Sequence, residues 1–328
     1  MCIRDRYLPA NYDSLTSLPL VFALHGFTNS AEEIEERSQF NIIADTAGFI
    51  VCYPNGVDRA WNVGWQFGSR ADDVGFINAM IDSFILNHKV DPNRIYSTGF
   101  SNGGFMSYRL ACELNERIAA VASVAGGFAP DYFENCDPHR AVPVMQIHGT
   151  FDIIVPINGA PGITIPIDDV VDFWVENNSC EADFEETEIT ESVVMRDWLE
   201  CEPVSTVKYF IIDRGSHSWP GSEGLGINKD INASEEIWHF FKQFELENVS
   251  STLENNEISN TSVFPNPVSN QLNFSQLADS FSIYNSLGQQ IMTGQSVDNI
   301  SVAHLSKGVY FGKMQNNDQL FQFTFVKN

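Results

Sequence analysis

The sequence predicts an α/β protein, a mostly parallel sheet with helices on both faces, followed by a small antiparallel β-sandwich. Three observations predict it. Between residues 18 and 244, short Val-, Ile- and Phe-rich runs alternate with segments of helical periodicity. The motif Gly99-Phe100-Ser101-Asn102-Gly103-Gly104 stands between one such run and a helical stretch. After residue 262 the texture changes to short alternating segments broken by turns, and the charge changes with it.

The strands are expected at residues 18–25, 49–53, 94–100, 119–124, 144–148 and 207–212. Their near-continuous apolar character suits strands covered on both sides. Between the second and third, Val74, Ile77, Ile81, Phe84 and Ile85 recur at helical spacing, with Asp72 or Asp73 placed to cap the start. Residues 105–114 read as the helix after the motif, and residues 233–244 as a closing helix. The polar stretch from Glu245 to Asn260 reads as a linker. This divides the chain into a catalytic domain over 1–246, a linker over 247–261 and a tail domain over 262–328. In the tail, Phe264-Pro265-Asn266-Pro267 opens a series of strands expected at 271–274, 280–284, 290–292, 308–314 and 320–326.

The 328 residues include 18 Lys and Arg against 43 Asp and Glu, a net charge of −25. In the tail, Asp279, Asp298 and Asp318 cancel Lys307, Lys313 and Lys327, so the whole excess lies before Ser262. Such a balance excludes nucleic acid, because nothing could neutralise a row of phosphates, and it disfavours anionic membranes. It suits neutral substrates or uncharged surfaces, and equally a protein kept in solution by its charge. With 43% hydrophobic residues the chain can bury a sizeable core. No apolar run approaches the ~18 residues of a membrane-spanning helix.

Six cysteines are too few for a disulfide-dense scaffold, and none forms a Cys-x-x-Cys zinc spacing. Pairs Cys112–Cys136 and Cys180–Cys201 are expected, the second flanking an acidic, loop-like stretch, with Cys52 buried in a strand and Cys2 set aside. Buried free thiols are the alternative. Residues 1–6 are polar, without the apolar core of a signal peptide, and read as foreign to a chain that begins near Tyr7.

A serine hydroxyl is a poor nucleophile unless a strained turn exposes it beside a base, and flanking glycines let strand and helix pass closely enough for that turn. Ser101 is therefore the expected nucleophile. Acid and histidine should follow in that order, each after a later strand. His148-Gly149-Thr150-Phe151-Asp152 continues the run at 144–148 and places Asp152 as acid; Gly215-Ser216-His217-Ser218-Trp219 follows the run at 207–212 and places His217 as base. His148 is the rival base, but it precedes the acid. His88 and His239 fall in helical stretches, His139 and His304 in loops. Two N–H donors should form an oxyanion hole, from Asn102 after the nucleophile and from Phe27 after His25-Gly26, with the Phe27 ring also lining an acyl pocket.

These residues resemble the secreted polyhydroxybutyrate depolymerase and feruloyl or acetylxylan esterase group of the α/β-hydrolase fold. The resemblance spans roughly residues 7–244. It rests on Leu24-His25-Gly26, Asp72-Asp73-Val74-Gly75-Phe76-Ile77, the Gly99–Gly104 motif, the stretch from His148 to Pro156, and His217-Ser218-Trp219-Pro220-Gly221. It implies Ser101, Asp152 and His217 as triad, Phe27 and Asn102 as oxyanion donors, and a binding surface that includes Trp61, Trp65 and Trp219. The implied reaction is ester hydrolysis, first of a polyhydroxyalkanoate-like polymer, alternatively of feruloyl or acetyl esters on xylan or of an aromatic polyester such as polyethylene terephthalate. A non-catalytic carbohydrate-binding protein of the same fold is the rival from another class. One departure is Asp213-Arg214-Gly215-Ser216, where a more glycine-rich approach to the histidine is expected.

The tail is similar to the sorting domain of type IX secretion cargo, through Phe264-Pro265-Asn266-Pro267, Ile283-Tyr284-Asn285-Ser286-Leu287-Gly288, the run from Leu305 to Phe311 and the final Phe325-Val326-Lys327-Asn328. That similarity implies a Bacteroidetes-type origin, outer-membrane secretion machinery as partner, and an extracellular or cell-surface location. A binding module or adhesin is the alternative for this domain. No metal or organic cofactor is implied, and a monomer is expected.

Overall fold

The computed structural model describes residues 6–14, 17–201, 205–224, 226–246, 263–285, 290–316 and 319–327. Residues 1–5, Cys2 among them, and the linker expected at 247–261 lie outside the described residues. The chain divides into two compact units, Met1–Asn248 and Val249–Asn328.

In the first unit, β1 (Arg6–Tyr7), β2 (Leu18–Leu24), β3 (Ile50–Cys52), β4 (Val90–Phe100), β5 (Ala120–Val124), β6 (Val144–Gly149), β7 (Glu185–Thr190), β8 (Val193–Trp198) and β9 (Val207–Ile212) form one sheet. Its order is β1-β3-β2-β4-β5-β6-β9-β8-β7. The six strands from β3 to β9 run parallel, and β1, β8 and β7 join antiparallel at the two edges.

The helices are α1 (Ala31–Ser38), α2 (Phe40–Ala47), α3 (Asp73–Asn87), α4 (Asn102–Glu113), the short α5 (Pro130–Phe133), α6 (Ile167–Asn177) and α7 (Ala233–Phe241). Successive strand residues point to opposite faces, and both faces are covered. Leu18, Leu20, Phe22 and Leu24 of β2 pack with Ile77, Ile81 and Phe84 of α3 and Trp174 of α6. Val21 and Ala23 point the other way, to Ile34, Phe40, Ala44, Ile237 and Phe241 of α1, α2 and α7. All seven β2 residues are buried, which is why the run carries no polar position. Asp72 caps α3 by accepting from the Gly75 N–H, whereas Asp73 is buried and accepts from the Asn62 N–H. Ile85, expected on the buried face of α3, is exposed.

The acidic stretch read as loop between Cys180 and Cys201 contains the hairpin β7–β8. Five of the six β7 residues are exposed, so its composition is that of an edge strand whose carboxylates discourage further pairing. Cys180–Cys201 ties the end of α6 to the end of that hairpin, Cys112–Cys136 ties α4 to the loop before β6, and Cys52 is buried in β3. Replacing Cys180 and Cys201 together by serine should lower the unfolding free energy by about 2–4 kcal/mol. A fall in the urea midpoint would read it; an unmoved midpoint would leave the bond without a stabilising role.

The second unit contains β10 (Val263–Phe264), β11 (Gln271–Tyr284), β12 (Gln290–Ser301), β13 (Gly308–Asn316) and β14 (Gln319–Lys327). Its described strands form one five-stranded antiparallel sheet in which β11 pairs β12, β13 and β10. The strands expected at 271–274 and 280–284 are parts of β11, joined across a register shift between Asn273 and Ala278. Leu272, Phe281, Ile283, Tyr310 and Phe325 belong to the core of this unit.

Candidate active site

Five segments, at the carboxyl ends of β2, β3, β4, β6 and β9, carry the expected triad, oxyanion and tryptophan residues. At the end of β4, Ser101 has φ 53° and ψ −118°, a left-handed conformation that a non-glycine residue adopts only under strain. The turn is tight because the neighbouring glycines leave no room for a side chain. A Cβ on Gly99 would stand 2.3 Å from the carbonyl carbon of Gly103, and one on Gly103 2.1 Å from the carbonyl oxygen of Leu24. The Ser101 N–H donates to the carbonyl of Val124 in β5, which pins the turn to the sheet.

His217 Nδ1 donates to Asp152 Oδ2 at 2.7 Å. The other carboxylate oxygen, Oδ1, accepts from the N–H groups of Ile154 (2.9 Å) and Val155 (2.8 Å). Burial opposes ionisation of Asp152, but the bond from His217, its charge and the backbone donor outweigh it and hold the carboxyl below its ordinary pKa. The His217 ring lies 4.8 Å from the ring of Phe100, the residue before Ser101. His217 is thereby brought beside the turn at Ser101. No hydrogen bond joins Ser101 Oγ to His217 among the described residues; such contacts commonly tighten only when substrate binds. In the loop that departs from the glycine-rich expectation, Arg214 itself takes positive φ (53°), and Gly215 packs against Gly149.

Asn102 is the first residue of α4, so its N–H has no intrahelical acceptor. Its side chain clamps Trp61, accepting from the Trp61 N–H (2.7 Å) and donating to the Trp61 carbonyl (3.2 Å). The indole Nε1 of Trp61 in turn donates to the His25 carbonyl at 2.9 Å. The peptide bearing the Phe27 N–H is held from behind, since its Gly26 carbonyl accepts from His25 Nδ1 (2.8 Å) and from the Asn29 N–H (3.1 Å). The Gly56 N–H donates to His25 Nε2, which leaves Nδ1 as the protonated nitrogen, and burial lowers the pKa of this imidazole.

Two of the three tryptophans expected on the binding surface are core residues instead. Trp61 and Trp219 are each 1% exposed, and the Trp219 indole donates inward to Ser234 Oγ. A ring whose N–H and faces are all taken by the protein cannot stack on a substrate. Trp65 is buried too, but forms the floor of an aromatic ledge. It stacks on Phe67 (5.1 Å) and meets the edge of Phe27 (6.2 Å), and Phe27 and Phe67 are themselves exposed. The sequence reading did not single out Phe67; its only signal was a second aromatic two positions after Trp65. Beside Asp152, Phe151, Ile153 and Ile154 are exposed as well.

The family model described as Esterase PHB depolymerase matches residues 4–165, and the one described as a secretion system C-terminal sorting domain matches residues 262–328. The probable feruloyl esterase C of Aspergillus clavatus is 32% identical over 247 residues, 71% of this chain and 80% of that protein. Feruloyl esterase B of Piromyces equi is 29% identical over 252 residues, 73% of this chain and 44% of that protein. The chain thus spans less than half the length of some of the curated relatives that it matches. Among solved structures, an acetyl xylan esterase from Aspergillus awamori superposes with a TM-score of 0.55 at 15% identity, covering 73% of this chain and 93% of that one, a likeness of fold. The chain belongs to the esterase family of these feruloyl esterases, with the PHB depolymerase esterase model matching over residues 4–165, and carries over residues 262–328 a secretion-system sorting domain that directs it to the outside of the cell or its surface.

Proposed function

We propose that this is a secreted serine esterase in which Ser101 attacks the ester carbonyl and His217 takes its proton and returns it to the leaving alcohol. Asp152 orients His217 and stabilises its charged form, and the N–H groups of Phe27 and Asn102 hold the oxyanion. The observation that carries the reading is the 2.7 Å bond between buried Asp152 and His217, at the sheet end where a strained Ser101 is presented. The chain acts as a monomer, with a catalytic domain over 1–246, a linker over 247–261 and a sorting domain over 262–328. Removal of residues 262–328 should leave kcat/KM on nitrophenyl acetate within about two-fold, since no proposed site residue lies there. A larger fall in a folded truncation would place part of the site in the tail.

The substrate is an ester on a neutral polymer. The exposed Phe27–Phe67 ledge over Trp65 suits an aromatic acyl group, in keeping with relatives named feruloyl esterases. The second reading, an aliphatic polyester of the polyhydroxybutyrate kind, is favoured by the apolar rim of Phe151, Ile153 and Ile154, which suits adsorption to a hydrophobic surface. The test is turnover of methyl ferulate, acetylated xylan and a polyhydroxybutyrate suspension, with Phe67→Ala alongside. Under the first reading Phe67→Ala raises KM for methyl ferulate about ten-fold, roughly what one buried aromatic contact contributes, and spares nitrophenyl acetate. Clearing of the suspension without ferulate turnover would establish the second.

A further inference from the structure

Behind the proposed acid stands a second histidine that the mechanism does not use. His148, at the end of β6, is 1% exposed, and its Nε2 lies 2.8 Å from the Val155 carbonyl and 3.6 Å from Asp152 Oδ2. A carbonyl can only accept, so Nε2 carries the proton and donates it to Val155. Nδ1 is then the acceptor, at 2.9 Å from Gln146 Nε2. The Gln146 amide is fixed on its other side as well. Its Nε2 donates to the Gly126 carbonyl (2.9 Å), and its Oε1 accepts from the hydroxyl of Tyr108 (2.5 Å). Burial lowers the pKa of His148, against the opposing pull of the Val155 carbonyl and of Asp152, so the imidazole stays neutral.

One chain of bonds therefore runs from Tyr108 on the nucleophile helix α4, through Gln146 and His148 on β6, to Val155. The N–H of that same Val155 donates to Asp152 Oδ1, and Asp152 Oδ2 faces His217. We infer that His148 is a positioning residue: its Nε2–H, by gripping the Val155 carbonyl, sets the turn from Asp152 to Val155 so that the acid's free oxygen points at His217. The inference rests on the triad proposed above. Bond directions support it. The carboxylate takes two backbone donors from one turn, so its rotation follows the turn, and the turn has one buried side-chain anchor at its far end. A displacement of the order of 1 Å at the acid is enough to cost about 100-fold in rate.

The test compares His148→Leu, His148→Asn and His148→Gln in the full chain. Glutamine reaches the Val155 carbonyl with an N–H, whereas asparagine is one methylene short and leucine has no donor. With nitrophenyl acetate, His148→Leu and His148→Asn are expected to lose about 10- to 100-fold in kcat, with KM within about two-fold, and His148→Gln to recover most of it. The far-downfield proton resonance of the Asp152–His217 bond should vanish in the first two and return in the third. Folded His148→Leu or His148→Asn keeping both kcat and that resonance would overturn the inference. So would failure of all three variants to fold, which would make the residue an element of the core alone. Asp152→Asn, run in parallel, separates the two levels. If it retains activity the triad itself fails; if it is inactive while His148→Asn is active, only the positioning role fails.

Discussion

Ser101→Ala is expected to lower kcat on a small ester by roughly 10⁵- to 10⁶-fold, because without the hydroxyl no acyl-enzyme can form and the other members of the triad have nothing to act on. The backbone at this position makes a sharper version of the test available. Ser101 is held at φ 53°, a conformation that costs of the order of 1–3 kcal/mol for a residue with a side chain. Ser101→Gly should be as inactive as Ser101→Ala but melt at a higher temperature, since glycine reaches positive φ without that cost. Residual turnover within ten-fold of the parent would mean that the nucleophile is elsewhere. A glycine variant no more stable than the alanine one would mean that the turn stores no strain.

Asp152→Asn should reduce kcat about 10⁴-fold, and the hydrogen bonds around it say why. Oδ1 accepts from the Ile154 and Val155 N–H groups, so the amide oxygen of asparagine must keep that place to satisfy both donors. The amide NH₂ is then left facing His217 Nδ1, donor against donor. The imidazole can answer only by moving its proton to Nε2, the nitrogen that has to accept from Ser101. Asp152→Ala removes the clash together with the support, and should be no more damaging than the isosteric change. Because the triad works as a unit, His217→Ala added to Asp152→Asn should lower kcat little further than the more damaging single change. Additive losses in that double variant would show that acid and base act independently, and the proposed roles would be wrong.

The proposed order of roles along the chain was open to sequence reasoning because each depends on a local pattern. Runs such as 18–24 and 49–53 are apolar at every position, as suits a strand covered on both faces, and that pattern implies helices on both sides of a parallel sheet. A glycine-flanked serine after one such run, an aspartate after a later one and a histidine after the last then fall on the same sheet edge. Parallel strands share one direction, so residues following them share one end.

What the tertiary structure decided are matters in which distant residues compete for one place. Trp61 and Trp219 carry the same side chain as a surface tryptophan. Only the His25 carbonyl and Ser234, which meet them from elsewhere in the chain, draw their indoles inward. The acidic run before Cys201 is a strand because β8 lies beside it, not through any propensity of its own glutamates. The segments at 271–274 and 280–284 form one strand because a register shift lets β11 serve β12 along most of its length and β10 and β13 on its other side. His148 looked like a misplaced base. Its partners Gln146 and Val155 are close in sequence, but only the packing of α4 against the sheet, and the turn that follows β6, aim them at its two nitrogens. Periodicity is a property of the neighbouring few residues, whereas burial and hydrogen-bond partnership are settled by whatever the rest of the chain brings to the same point.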